Sequence, residues 1–259
     1  MRNQASARQR MIRRRLRRAI LTGLGIIIVG LAAFGGYTFA NSTFFDLMEI
    51  RLYGNVAVDR DELIQLTGLR IGANMLLIYP GQVRQSVLSH PFVRTASVTR
   101  SLPNRIDIEI TERSPFVLVY SESRFLILDD EGYCMMEVSD QVAESWNLPR
   151  IRASHWAALI EPGERSRDEG VLAGLELIQQ LDPFFMKNIL EIYTPSAERL
   201  TLINNDGLPV LFGPPVDLER KLHHYEQLLI RNRDTINAST INYIDIRFDT
   251  QPTISWRNI

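Results

Sequence analysis

The sequence contains one cysteine, Cys134, among 259 residues. A single cysteine excludes an intrachain disulfide and any metal site built from several cysteines. The first 40 residues also lack Asp and Glu, and they contain eight Arg. The rest of the chain therefore holds 21 basic and 30 acidic side chains, although the net charge of the whole chain is only −1. An acidic body of this kind does not favour a nucleic-acid-binding protein, because that function normally needs a basic face.

Common catalytic and nucleotide-binding motifs are missing too: the chain has no Gly-x-Ser-x-Gly, Ser-x-x-Lys, Walker or dinucleotide pattern. His223 and His224 are adjacent on a predicted helix, so their rings point about 100° apart, unlike the i, i+4 pair of a zinc helix. The carboxylates at 129–131 lack calcium-loop spacing and are interpreted as turn residues. Cys134 lies in a predicted strand and is expected to be packed rather than reactive. We therefore expect no catalytic residue, no cofactor and no metal.

One hydrophobic run, residues 19–40, contains 22 residues without a charge. As a helix it would be about 33 Å long, enough to cross a hydrocarbon core of about 30 Å. All eight Arg precede it, so the positive-inside rule predicts a cytoplasmic arm at 1–18 and an extracytoplasmic position for the remainder. A cleaved signal peptide is the alternative, because Thr38-Phe39-Ala40 resembles a cleavage site. The length of the run favours a single-pass, type II anchor.

Residues 45–114 are predicted to form one strand, two helices and two further strands. Residues 48–53 alternate in polarity and end at Gly54-Asn55, which indicates a strand and a turn. Helical patterns follow Asp59 and begin at Pro80. The segments 93–100 and 105–111 are predicted strands, and the second alternates isoleucines with polar residues. A unit of this size can fold as a domain of its own.

Residues 115–259 are predicted to form a mostly antiparallel β domain with two helices. The helices are expected to begin after Asp168 and Asp217, where each Asp would serve as the N-cap. The stretch 138–166 shows no regular pattern. The predicted strands are 116–120, 124–128, 133–137, 189–193, 199–203, 209–212, 243–248 and 253–256. The fold class expected for the whole chain is therefore α+β.

The last two strands provide the strongest candidate for a binding site. A strand near the end of a sequence often lies at a sheet edge, where unpaired N–H and C=O groups can accept a strand from a partner. An exposed Trp256 with Phe248 and Arg247 would then form an anchor set, because Trp, other aromatics and Arg contribute much of the energy of interfaces. The alternative is that these residues face the core of an internal strand. Nothing in the sequence fixes the strand order.

The order of these segments resembles that of the FtsQ/DivIB family of bacterial cell-division proteins. The sequences EIRLYGNVAVDRDELIQLTGLRIGANMLLI and HPFVRTASVTRSLPNRIDIEITERSP resemble the beginning and end of a POTRA domain. Further on, FLILDDEGY, NLPRI, residues 200–213 and YIDIRFD resemble the outer β domain. The segment 138–167 matches only loosely, and little follows Trp256.

The resemblance implies a non-enzymatic scaffold at the division septum. Family members recruit FtsB/DivIC-like and FtsL-like partners and help to control septal peptidoglycan synthases. Their β domain receives the FtsB-like partner by strand addition at its last strands and the neighbouring helix. Through the YIDIRFD match, the expected partner-binding residues here are Arg247, Phe248, Asp249, Thr250 and Trp256, with Tyr225 and Leu229 on the preceding helix.

Two other functions are compatible with parts of the sequence. A POTRA-bearing component of envelope transport or outer-membrane assembly would usually precede a long β-barrel, and about 150 residues without repeated amphipathic strands leave no room for one. A membrane-tethered cell-wall hydrolase would require a catalytic constellation, and none is recognisable in the sequence.

Overall fold

The structure is a computed structural model that describes residues 2–121, 124–154, 160–231, 236, 239–248 and 252–257, with backbone alone at 2–19 and 183–184. Helix α1 spans Arg2–Ala40. Its segment Ile20–Ala40 is long and apolar enough to cross a membrane, and none of that segment is buried. The charge-free run of the sequence is thus a continuous helix, as predicted.

The chain divides into two compact units. The first contains Met1–Gly54, Arg60–Ser86 and Ala96–Glu109, and the second contains Asn55–Asp59, Val87–Thr95 and Ile110–Ile259. The sequence pattern predicts residues 55–59 and 87–95 as part of the N-terminal domain, whereas they cluster with the second unit. Two neighbouring residues of the second unit provide the physical reason: the Glu112 carboxylate accepts the N–H groups of residues 56–58, and the N–H of Arg113 donates to the carbonyl of Phe92 at 2.7 Å.

The smaller sheet has three strands in the order β1-β3-β2. Strand β1 (Glu49–Tyr53) is parallel to β3 (Arg105–Glu112), with Ile50 opposite Ile106 and Leu52 opposite Ile108. Strand β2 is Val93–Ser101, and the helices are α2 (Arg60–Thr67) and α3 (Pro80–Leu88). The predicted order of strand, helix, helix, strand, strand is confirmed, because its apolar residues recur with clear strand and helix periods.

The larger sheet has nine strands in the order β12-β11-β10-β9-β8-β7-β4-β5-β6. Five of its eight described pairings are antiparallel, and three are parallel. The α+β class is confirmed. The strands are Val117–Ser121 (β4), Arg124–Leu128 (β5), Cys134–Val138 (β6), Arg150–Ala153 (β7), Ile189–Thr194 (β8), Leu200–Asn204 (β9), Pro209–Gly213 (β10), Ile241–Asp245 (β11) and Thr253–Trp256 (β12).

Helices pack on this sheet, and their apolar side chains form the core together with those of the strands. The helices are α4 (Asp140–Ser145), α5 (Glu169–Gln180), α6 (Pro183–Asn188) and α7 (Leu218–Arg231). The main core contains residues of α5, α6 and α7 together with Val117 and Val119 of β4. Leu118, which points to the opposite face, packs in a smaller cluster with Ile127 and Ala143 of α4. Buried β4 is therefore apolar on both faces.

Four expectations for the β domain need correction. The stretch 138–166 contains α4 and β7 rather than irregular chain alone, and the short helix α6 was not predicted. The strand expected at 243–248 lies at Ile241–Asp245, so Phe248 follows it. Asp217 has a φ of 51° instead of the extended backbone of an ordinary N-cap. Asp168 is a true N-cap, since its Oδ1 accepts the N–H of Val171 at 2.9 Å.

Candidate partner-binding site

Strand β12 occupies one edge of the nine-stranded sheet. It pairs antiparallel with β11, with Ile254 opposite Ile244 and Trp256 opposite Ile241. Within the described part of the chain, no second strand pairs with its outer side. The structure thus places the last predicted strand at an edge rather than in the sheet interior, and it presents outward backbone groups of the kind that accept a partner strand.

The residues of β12 do not protect this edge. Natural sheets usually protect an open edge with charged side chains, prolines within the strand, bulges or a covering segment. The strand Thr253-Ile-Ser-Trp256 contains no charge and no proline, and Pro252 stands just before it. Its short length and the register shift in its pairing with β11, between Ile241 and Tyr243, are the protective features that the structure shows. An uncharged edge of four residues suits strand addition by a specific partner.

The opposite edge of the same sheet is covered. At β6, the N–H of Cys134 donates to the carbonyl of Glu164 at 2.8 Å, and the N–H of Gly163 donates to the carbonyl of Cys134 at 2.8 Å. The N–H of Ser166 continues this contact by donating to Gly132. The segment 163–166 therefore occupies backbone groups at the start of β6, whereas no described segment does so along β12.

Trp256 has the exposure expected of an interface anchor, because its side chain is 52% exposed. Alternation along β12 places Trp256 on the same face as Ile254, which packs against the main core. Helix α7 connects the parallel strands β10 and β11, so it returns the chain toward the end of the sheet where β11 begins. That end carries the Ile241–Trp256 pair.

Arg247 and Phe248 lie beyond the other end of β11. Phe248 is 65% exposed, and the Arg247 guanidinium lies 5.3 Å from the centre of its ring. The Arg247 side chain also holds both carboxylate oxygens of Asp245, with Nε–Oδ1 at 3.0 Å and Nη2–Oδ2 at 2.7 Å. These hydrogen bonds from Arg247 lower the pKa of Asp245 despite its partial burial. Arg247 is therefore a paired cation that supports Phe248.

The predicted residues thus lie at two ends of one edge instead of in a single cluster. Trp256 is opposite Ile241, whereas Thr253 is opposite Asp245, which precedes Arg247 by two residues. Four residues of β-strand separate the two ends by about 14 Å. A partner strand lying along β12 would reach both groups. Asp249 and Thr250 lie outside the described residues.

Tyr225 requires a correction. Its side chain is 6% exposed and stacks on Phe185, with ring centroids 6.2 Å apart. Burial raises the pKa of its hydroxyl to about 12. The apolar stripe of α7 turns Tyr225 toward the sheet, so this residue positions the helix and offers no surface to a partner. Leu229 is half-buried and packs against the same core.

Two exposed side chains on α7 and β11, the elements before β12, were not predicted. Ile230, next to Leu229 on α7, is 65% exposed, and Tyr243 of β11 is partly exposed opposite Ser255. Ile230 could have been recognised as an apolar residue outside the buried stripe of an amphipathic helix. Tyr243 gives no such signal, because its exposure depends on strand order.

A buried lysine joins helix α7 to the end of strand β10. Lys221 of α7 is 4% exposed, and its Nζ donates to the carbonyls of Phe212 at 3.1 Å and Pro214 at 2.9 Å. Nζ also lies 5.0 Å from the centre of the Phe212 ring. The ammonium group thereby fixes the end of β10 against α7 where the chain leaves the strand. The β10-α7-β11 crossover carries β12 on its outer side.

Comparison with known proteins identifies the family. Residues 45–113 match the sequence model of a POTRA domain, FtsQ-type, and residues 117–247 match that of Cell division protein FtsQ/DivIB, C-terminal. The chain belongs to the FtsQ/DivIB family of cell division proteins. The second match ends at residue 247, so the edge position of β12 in this FtsQ/DivIB protein rests on the structure.

Individual FtsQ/DivIB proteins are similar over most of the chain. Cell division protein FtsQ of Myxococcus fulvus is 27% identical over 236 residues, which is 90% of this chain and 80% of the relative. Cell division protein DivIB of Clostridium tetani is 22% identical over 225 residues, or 82% and 79% of the two chains. FtsQ of Syntrophotalea carbinolica is 24% identical over 229 residues, or 87% and 78%. These names support a role in cell division, and helix α1 fits a membrane-anchored septal protein.

The E-R-S-P segment that resembles the family's POTRA exit has a structural role. Glu112 accepts the backbone N–H groups of Val56 at 2.8 Å, Ala57 at 2.9 Å and Val58 at 3.0 Å. Burial alone would raise the pKa of Glu112, but these three N–H groups hold it below the ordinary value. The next residue, Arg113, binds the DDEGY turn. Adjacent residues of one motif therefore hold residues 56–58 and 129–133 within the second unit.

The acidic turn and the cysteine that were considered for chemistry have structural roles in this FtsQ/DivIB protein. Arg94 binds Asp130 and Glu131 at 3.2 and 2.8 Å, so these carboxylates are turn residues with arginine partners. The Cys134 side chain is fully buried, which confirms a packed cysteine, and this burial raises the pKa of its thiol to about 12. Among the described residues, no group of three or more His, Cys, Asp or Glu could hold a metal ion.

Proposed function

We propose that this protein is a non-enzymatic scaffold of the division machinery that captures a strand of an FtsB/DivIC-like partner along the outer side of β12. An FtsL-like protein would join the same assembly, and the assembly would help to control septal peptidoglycan synthases. Family membership supports the division role. The single observation that supports the binding mode is the unpaired, uncharged edge of β12, which ends in an exposed Trp256.

In this proposal the chain is ordered from cytoplasm to cell exterior. Residues 1–18 form a basic cytoplasmic arm, 19–40 the transmembrane helix, 45–114 the POTRA domain and 115–259 the β domain. The eight arginines ahead of the apolar segment support this orientation. Each partner would be a single-pass membrane protein whose outer part reaches the same side of the membrane.

The energetics of the proposed contact are those of a small interface with a dominant anchor. Each backbone hydrogen bond between the two strands would contribute about 0.5–1.5 kcal/mol net. A buried tryptophan at an interface commonly costs 2 kcal/mol or more when truncated, and about 1.4 kcal/mol corresponds to tenfold in affinity. We therefore expect Trp256 to dominate the affinity, and Phe248 to contribute at the far end of the edge.

Binding of the full-length protein in nanodiscs to the FtsB/DivIC-like protein of the same organism tests this proposal. Trp256→Ala is expected to weaken the affinity by about tenfold or more, and Trp256→Ala with Phe248→Ala by more than that. Tyr53→Ala is the matched control, because Tyr53 is an exposed aromatic at the end of β1, the edge strand of the smaller sheet. An unchanged affinity in the double variant would contradict the proposed site.

The two alternative functions have tests of their own. The transport or assembly alternative is not favoured by the family match, and the nine-stranded sheet has two ends, β12 and β6, instead of closing. The hydrolase alternative predicts release of soluble fragments from peptidoglycan by the purified full-length protein. We expect no such turnover, and turnover abolished by substitution of a side chain of this protein would overturn the scaffold proposal.

A further inference from the structure

The end of helix α1 is hydrogen-bonded to the folded part of the first unit. Nδ2 of Asn74 donates to the carbonyl of Ala40 at 2.8 Å, and Oδ1 of the same side chain accepts the N–H of Leu76 at 2.8 Å. One amide side chain therefore joins the last residue of the apolar helix to the short 3₁₀ turn Met75–Leu77. Backbone bonds of Leu47 to Ala73 and Gly72, both 2.8 Å, hold the preceding loop in the same place.

The residues around this junction present apolar side chains to solvent. We call residues 71–79 the junction loop. Met75 is fully buried and fixes the loop, whereas Leu77 is 68% exposed and Tyr79 is 64% exposed. Ile71 and Leu76 are exposed as well. Exposed apolar groups of this size commonly mark an interaction surface.

The position of the junction loop indicates what covers these side chains. The apolar segment of α1 ends at Ala40, so Ala40 lies where the hydrocarbon core gives way to lipid head groups if the helix spans a bilayer. Phe39 at that depth stacks on Phe44, with ring centroids 5.7 Å apart. Asn74 is within hydrogen-bonding distance of Ala40, so the part of the junction loop around Asn74 lies close to that depth.

The charge distribution agrees with a lipid surface. Residues 63–106 contain no Asp or Glu but contain five Arg, although the part of the chain after residue 40 has more acidic than basic side chains. Arg100 donates from Nη1 to the carbonyl of Met75 at 3.3 Å, which places a guanidinium beside the junction loop. Arg70 immediately precedes the loop. Asp46 forms a backbone bridge with Asn74, so one acidic residue also lies at the loop. Arg70 and Arg100 outnumber it, and such an arginine-bearing segment is suited to the anionic head groups of bacterial membranes.

We propose that the junction loop docks on the outer leaflet of the bilayer beside α1, with Leu77 and Tyr79 in the interfacial region and Arg70 and Arg100 facing anionic lipid head groups. This inference rests on the membrane anchoring in the proposed function but not on the β12 site. Its consequence is that the first unit is attached to the membrane at two points, the helix and the loop. Rotation about α1 alone would then not reorient the unit freely.

Fluorescence quenching in vesicles tests the docking directly. Full-length Leu77→Cys protein is labelled with an environment-sensitive fluorophore and reconstituted into phosphatidylcholine vesicles containing phosphatidylglycerol. Cys134 can be kept, because its side chain is fully buried. Tyr53→Cys is the matched control. The start of β1 lies next to the junction loop, because Leu47 is hydrogen-bonded to Gly72 and Ala73. Tyr53 is exposed and lies at the other end of that strand, about 13 Å from Glu49.

Docking predicts a blue-shifted emission at position 77 and quenching by spin-labelled lipids about twofold or more stronger than at position 53. Omitting phosphatidylglycerol should reduce the difference. Water-like emission at both positions overturns the inference, and so does a signal at position 77 that requires an added partner protein. Flotation of the same vesicles separates the two claims: protein that floats with a water-exposed position 77 contradicts loop docking alone, whereas protein that does not float contradicts the membrane anchor itself.

Discussion

Arg113 and Asp129 form a salt bridge in the second unit, with Nη1 of Arg113 2.5 Å from Oδ2 of Asp129. The two side chains are 9% and 0% exposed. The other carboxylate oxygen of Asp129 accepts the N–H groups of Glu131 and Tyr133 at 3.0 and 2.8 Å. The Arg113 guanidinium lies 3.7 Å from the centre of the Tyr133 ring. Both carboxylate oxygens of Asp129 thus have hydrogen-bonding partners, and Arg113 balances its negative charge.

Breaking this pair is expected to be costly. Arg113→Met leaves the buried Asp129 carboxylate without its cation, and loss of one partner of a buried pair commonly costs about 3–5 kcal/mol. Arg124→Met is the matched control, because the Arg124–Glu137 pair has the same 2.5 Å separation but more exposed side chains. It should cost less than about 1 kcal/mol. Urea unfolding of the full-length protein in detergent measures both, and equal losses would contradict the role of burial.

Glu112 is expected to make the stability of the protein decrease at low pH. Its pKa is below the ordinary value in the folded state, so its contribution is present above the unfolded-state pKa of about 4.3 and is lost as the pH falls through the folded value. Glu112→Gln should cost about 1–3 kcal/mol at neutral pH. The difference from wild type should shrink below about pH 4 in thermal unfolding curves. A difference that is constant from pH 7 to pH 3 would contradict this role of the carboxylate.

The only two lysines of the chain provide a paired test of the β10-α7-β11 support. Lys221→Met removes the donor that satisfies the carbonyls of Phe212 and Pro214, which should destabilise the fold by about 2 kcal/mol or more. Lys187→Met alters an exposed side chain and should change stability by less than about 0.5 kcal/mol. Thermal unfolding compares the two. If Lys221→Met left the thermal stability unchanged, the buried ammonium would not be what stabilises this crossover.

Cys134 is expected to be inert in the folded protein. Its side chain is fully buried and burial raises the pKa of the thiol to about 12, so little thiolate exists at pH 8. A maleimide reagent should label Cys134 only after unfolding, whereas Tyr53→Cys protein should react at its new cysteine within minutes under native conditions. Rapid labelling of Cys134 in the native wild-type protein would contradict the packing of β6.

The sequence predicts most elements well, because their apolar residues repeat with a period of 2 or 3.6. The alternation of Ile106, Ile108 and Ile110 identifies β3, and all three are buried. By contrast, β7 has four residues and α4 and α6 have six each, which is too short for a period to emerge. The actual end of β11 at Asp245 is also hidden, since Arg247 and Phe248 continue the alternating pattern beyond the strand.

The candidate site could be predicted only in part, because its essential features are long-range. The aromatic and basic residues of β11 and β12 are visible in the sequence, but the edge position of β12 depends on the parallel pairing of β10 with β11. The burial of Tyr225 follows from how α7 packs on that sheet. The bond from Asn74 to Ala40 joins residues 34 apart, and no local pattern indicates it.

The most direct measurement of the central claim is hydrogen exchange at residues 253–256 of the full-length protein in nanodiscs, with and without the FtsB/DivIC-like partner. The outward amides of β12 have no described partner strand, so they should exchange quickly in the free protein. Strand addition predicts that the partner slows their exchange by about tenfold or more, with no change in β6 at the opposite edge. Binding of the partner without any slowing of exchange at residues 253–256 would contradict capture at β12.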